Sequence, residues 1–63
     1  MAFNENVKKL RLEKGLTQEE VAEHIGIKQP TYNCYEAGLK LPSLGTAKTL
    51  AELFGVSLDD LVK

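Results

Sequence analysis

Two side chains could carry nucleophilic or metal chemistry, and each is the only one of its type: Cys34 and His24. A thiol nucleophile needs a base beside it, and a metal site needs several ligands at suitable spacing. No histidine is placed to activate Cys34, and no second ligand accompanies His24. We therefore expect no enzymatic activity, no metal and no cofactor, with His24 on the outer side of a helix.

Another set of polar side chains indicates recognition rather than catalysis. Gln29, Asn33 and Ala37 are four residues apart, so they share one face of a helix. Tyr32 and Tyr35 point the other way, into a core, where the Tyr32 hydroxyl must find a partner or reach solvent. An exposed Gln or Asn amide can bond adenine N6 and N7 together in the major groove of DNA. The spacing therefore favours a helix that offers Gln29 and Asn33 to a groove edge.

Length and composition restrict the fold. The chain has 63 residues, of which 43% are hydrophobic and 27% charged, so we expect one globular domain over residues 1–63. A TIM barrel or a doubly wound sheet needs far more chain. With one cysteine, no apolar run near ~20 residues and no signal-peptide pattern at the start, we expect a cytoplasmic protein that has no membrane partner.

The net charge of −1 by itself argues against a nucleic-acid partner. Its distribution matters more, because basic residues gather at 8–14 and acidic ones at 19–23. A nearly neutral total can thus hide a positive face and a negative face.

Start and stop signals divide the chain into five short helices. Thr17 with Glu20 forms a capping box, and Gly26 permits the tight turn of a helix-turn-helix over about 18–37. Lys28 is a poor cap for the third helix. The predicted helices cover about 4–14, 18–25, 29–36, the segment between Ser43 and Gly55, and 58–62.

Apolar spacing in the last two helices predicts their buried sides. The inner face of the fourth helix is expected to comprise Leu44, Ala47, Ala51 and Phe54, with Leu50 beside it. Near the end of the chain, Leu58, Leu61 and Val62 suit either the core or a dimer contact.

Five sequence blocks resemble one known family. They are Leu16–Ala22, Gly26–Ile27, Tyr35–Gly38, Pro42–Leu44 and Phe54–Ser57. Over about residues 3–62 the chain is similar to the Cro/cI-like (xenobiotic-response-element) helix-turn-helix regulators of bacteria and phages. The resemblance implies an all-α, five-helix, lambda-repressor-like domain that binds double-stranded DNA as a homodimer and acts as a repressor or controller of transcription.

The resemblance also implies roles for particular residues. Gln18 matches a glutamine that bonds a phosphate and braces the recognition helix, and Arg11 and Glu36 match a partly buried ion pair. Lys28 and Lys40 would add charge at the rim. The complete set expected at the DNA is Thr17, Gln18, Lys28, Gln29, Pro30, Thr31, Asn33, Cys34 and Lys40.

Alternatives remain open at this stage. Gln29 and Asn33 suit an ordinary solvated face as well as a base contact. Cys34 suits either a small surface residue or a redox switch whose oxidation would spoil docking. Arg11 could touch a phosphate in addition to its ion pair. The acid-rich second helix also fits a protein partner, as in an antitoxin or anti-regulator of the same fold.

Overall fold

The computed structural model describes residues 3–62, which form five α-helices and no strand. The expected all-α fold is confirmed, and the predicted bounds differ by one residue in the first and third helices. Met1, Ala2 and Lys63, which belong to the predicted domain, lie outside the described residues. The helices are α1 (Phe3–Glu13), α2 (Gln18–Ile25), α3 (Gln29–Ala37), α4 (Leu44–Phe54) and α5 (Leu58–Val62).

Local sequence signals fix where α2 begins and ends. The Thr17 hydroxyl accepts from the Glu20 N–H at 3.0 Å, and the Glu20 carboxylate accepts from the Thr17 N–H at 2.8 Å. At the other end, Gly26 has a φ of 78°, and the Ile27 N–H donates to the Ala22 carbonyl at 3.0 Å. The left-handed residue, costly for a side chain with a Cβ, redirects the chain into α3.

The helices enclose one apolar core, to which α2 and α3 both contribute side chains. Its members with no exposed surface are Val7, Val21, Tyr32, Leu50 and Leu61. Around it α2 packs on α3, and α1 packs on α3, α4 and α5.

The prediction that Leu44 lies on the inner face of α4 is wrong. Leu44 is 68% exposed, whereas Leu50, placed beside that face, is fully buried. Leu44 is the first residue of α4 after the Ser43 cap, and it is not among the residues that form the core or pack against it. The periodicity identifies the side of a helix but not how far along it the core extends.

Side chains near the end of α5 divide between core and solvent. Leu61 is fully buried, Leu58 is partly buried against the core, and Val62 is 58% exposed. The Asn6 amide donates to the Leu61 carbonyl at 2.8 Å and ties α1 to α5.

Candidate nucleic-acid interface

Helix α3 presents one polar face to solvent. Gln29, Asn33 and Ala37 are exposed, whereas Tyr32 and Tyr35 are buried, with their rings edge to face at 6.2 Å. The two tyrosines anchor the helix through its apolar side. This leaves the amides of Gln29 and Asn33 accessible along the opposite side.

Gln18, the first residue of α2, makes contact with α3 at two places. Its Nε2 donates to Oε1 of Glu36 at 3.0 Å, and its Oε1 accepts from Nε2 of Gln29 at 2.9 Å. Glu36 and Gln29 lie near opposite ends of α3. One amide therefore braces the exposed start of α3 and its buried end, which is the bracing part of the expected role of Gln18.

Arg11 and Glu36 form an ion pair between α1 and α3. Arg11 Nε donates to Glu36 Oε2 at 2.6 Å and Nη2 donates to Oε1 at 3.1 Å, while Nη1 donates to the Leu16 carbonyl at 2.8 Å. The two side chains are only 11% and 3% exposed. Two parallel bonds give this pair the bidentate geometry that fixes both partners, so all three Arg11 nitrogens are engaged within the fold.

The environment keeps the Glu36 carboxyl ionised. Burial by itself would raise its pKa, but the hydrogen bond from Arg11, the neighbouring Tyr32 hydroxyl, the hydrogen bond from Gln18 and the Arg11 charge together outweigh that and lower the pKa below its ordinary value. The hydrogen bond to Glu36 likewise raises the pKa of Arg11 despite burial. At neutral pH, Glu36 can therefore only accept hydrogen bonds.

The expectation for the Tyr32 hydroxyl is wrong. The oxygen is buried away from solvent and makes no hydrogen bond to any residue in the range 3–62. Burial raises the pKa of Tyr32 far above its usual range, and Glu36 and Arg11 are its charged neighbours. The ring fills the core under α3 and carries the hydroxyl into the interior with it.

The other predicted contact residues surround α3. Lys28 precedes it and gives no side-chain cap bond, so the prediction of a poor cap is confirmed. Exposed positions comprise Thr17, Lys28, Pro30 and Lys40, and half-buried ones Gln18, Thr31 and Cys34.

Neither His24 nor Cys34 belongs to a group of side chains in residues 3–62 that could hold a metal. His24 is exposed on α2, and within residues 3–62 no three His, Cys, Asp or Glu side chains are grouped to hold a metal. Sequence reasoning missed the bond between Gln18 and Glu36, although it named both residues. No local signal in the sequence predicts this bond, because its two residues are 18 positions apart.

Comparison with known families identifies the arrangement. The family model described as helix-turn-helix matches residues 7–61. The chain belongs to the helix-turn-helix family. The resemblance to its xenobiotic-response-element type is thereby confirmed, and the family consists of transcriptional regulators rather than enzymes.

Named helix-turn-helix relatives match almost the whole chain. The uncharacterized regulator YqaE of Bacillus subtilis is 43% identical over 61 residues, covering 97% of this chain and 53% of YqaE. The cryptic phage CTXphi transcriptional repressor RstR of Vibrio cholerae is 43% identical over 60 residues, covering 95% of this chain and 54% of RstR. The chain thus spans about half the length of these relatives.

A solved helix-turn-helix structure shares the fold. The P22 c2 repressor, crystallised with a synthetic operator, superposes with a TM-score of 0.95 at 17% identity and covers 100% of this chain and 96% of its own. The likeness shows the lambda-repressor-like fold. None of the helices in residues 3–62 has the length and apolar character that crossing a bilayer requires.

Proposed function

We propose that this chain is a sequence-specific double-stranded DNA-binding transcriptional regulator of the repressor or controller type. The observation that carries the proposal is the exposed amide face of α3, where Gln29 and Asn33 lie side by side and Gln18 holds Gln29 in place. The family and the repressor name of the relative RstR support it.

In the proposed complex, α3 enters the major groove and α2 lies across its mouth. The groove is about 12 Å wide and admits one helix. The N–H groups at the starts of α2 and α3 would face phosphates, with Lys28 and Lys40 adding charge at the rim. Pro30, Thr31 and Cys34 would flank the amides. We take residues 1–63 as one domain, with the helix-turn-helix at about 18–37.

We further propose that the regulator acts as a homodimer on a near-palindromic operator. Three leucines around the α3–α4 connection are 68–77% exposed: Leu39, Leu41 and Leu44. Beside Leu44, Lys48 and Glu52 line one depression and offer opposite charges to a two-fold related copy. Such a dimer would place its recognition helices about 34 Å apart.

Selection of bound sequences from a random duplex library tests the proposal. We expect two related half-sites about 10–10.5 base pairs apart, centre to centre. A selection that enriched no sequence would refute sequence-specific binding, and a single unpaired half-site would refute the symmetric dimer. In gel shifts at two salt concentrations, binding should weaken with a slope of only a few phosphates per subunit, because few lysines face the proposed groove.

A second candidate function is a protein-interaction module of the antitoxin or anti-regulator kind. The observation that favours it is the exposure of Glu19 and Glu23 on α2, since these carboxylates suit a basic protein surface better than DNA. Absence of any salt-dependent binding to random duplex DNA would favour this alternative.

A further inference from the structure

The Glu36 carboxylate controls the orientation of an amide that it contacts directly. An amide side chain has a donor end and an acceptor end of nearly the same shape. Glu36 is ionised and accepts only, so Gln18 must turn Nε2 toward it, as the 3.0 Å bond shows. A reversed Gln18 would place its oxygen against a buried carboxylate with no proton between them, which is costly.

The orientation passes from Gln18 to the exposed amide of Gln29. With Nε2 held by Glu36, Gln18 offers only its oxygen to Gln29, which responds by donating from its own Nε2 at 2.9 Å. One Gln29 N–H is thereby used. The second N–H of Gln29 and its Oε1 remain available to bind a ligand at the start of α3, and their relative positions are fixed.

We propose that Glu36 is a positioning residue for sequence preference: through Gln18 it sets the order of donor and acceptor that Gln29 presents to DNA. The inference rests on the proposed DNA-binding function. Adenine offers N7 as acceptor and N6 as donor at fixed places, so a correctly ordered amide pairs with both and a reversed amide does not. The buried end of α3 thus determines what its exposed start can recognise.

Two substitutions break this chain of bonds without touching Gln29. Glu36→Gln keeps the size and a partner for Arg11 but can either donate to Gln18 or accept from it. Gln18→Met cuts the link and leaves the ion pair intact. Thermal melts monitored by circular dichroism identify variants that remain folded at the binding temperature. Gln29→Ala identifies the base pair that Gln29 contacts, and Asn33→Ala serves as the control at another base pair.

Base preference is the deciding measurement. A bidentate contact corresponds to a preference of about 5- to 150-fold. We expect both Glu36→Gln and Gln18→Met to lower the preference at the Gln29 base pair without reaching the level of Gln29→Ala, because each leaves the Gln29 amide free to take either orientation. The preference at the Asn33 base pair should be preserved. If Gln18→Met weakens binding to every sequence equally, Gln18 is a phosphate contact alone and the inference is overturned. An unchanged preference at the Gln29 base pair in Glu36→Gln would overturn it as well.

A DNA-free measurement separates this inference from the proposed function. In NMR spectra of the free chain, Glu36→Gln should shift the side-chain amide signals of Gln29, which Glu36 does not contact. Unshifted Gln29 signals would overturn the inference even if the wild-type chain binds DNA. Shifted signals in a chain that selects no DNA sequence would instead support the hydrogen-bond chain and refute the proposed function.

Discussion

Replacing Glu36 by alanine tests how much the ion pair stabilises the fold. The Arg11 and Glu36 side chains are 11% and 3% exposed, so the substitution strands a charge that is largely removed from water. Removing one partner of a buried pair costs about 3–5 kcal/mol. A domain of 63 residues has a total stability of about 3–9 kcal/mol. We therefore expect Glu36→Ala to retain at most about 6 kcal/mol of stability and, at the lower end of these ranges, to be unfolded at 25 °C.

Thermal and urea unfolding of matched variants measure the effect. At about 4–8 °C per kcal/mol for a domain of this size, any Glu36→Ala protein that folds should melt at least about 12 °C below wild type. Glu23→Ala removes an exposed carboxylate and should melt within about 4 °C of wild type. The double variant Arg11→Met/Glu36→Met should recover part of the loss, because it strands no charge. An unaltered melting temperature in Glu36→Ala would refute the argument.

Three further predictions concern the same structure. Because the pKa of Glu36 is lowered in the fold, its contribution is complete above its ordinary value of 4.5 and is lost as the pH falls through the lower folded value; urea unfolding across this range should show a steeper loss in wild type than in Glu36→Gln. Tyr32→Phe removes a buried hydroxyl without a hydrogen bond and should equal or exceed wild type in melting temperature; a clear drop would reveal a bond to that oxygen. Gly26→Ala meets no atom within 4 Å but keeps a φ of 78°, so denaturant unfolding should show a loss of about 1–2 kcal/mol, and no loss would refute the left-handed turn.

Sequence reasoning succeeded where a signal was local. The Thr17 capping box and Gly26 fixed both ends of α2, because each depends on residues within one turn. Reasoning failed for Leu44 because periodicity carries no information about the edge of the core.

Local sequence signals could not predict the hydrogen bonds of the site. The bond between Gln18 and Glu36 joins residues 18 positions apart, so it depends on how closely α2 and α3 cross. The exposed placement of Gln29 and Asn33 followed from their spacing alone, whereas the donor that Gln29 gives to Gln18 depends on the distance between two helix starts. The burial of the Tyr32 hydroxyl without a hydrogen bond also depends on tertiary packing, since its charged neighbours come from α1 as well as α3.

The shared carboxylate of Glu36 has a consequence for how such a protein can change over generations. It serves a stabilising bond to Arg11 and an orienting bond to Gln18 at once, so replacing it disturbs both together. Gln29, by contrast, is exposed, and its side-chain amide bonds to Gln18, so replacing it should disturb the fold little. Lineages that acquire new target sites should therefore vary at position 29 and keep positions 11, 18 and 36 as an inherited set.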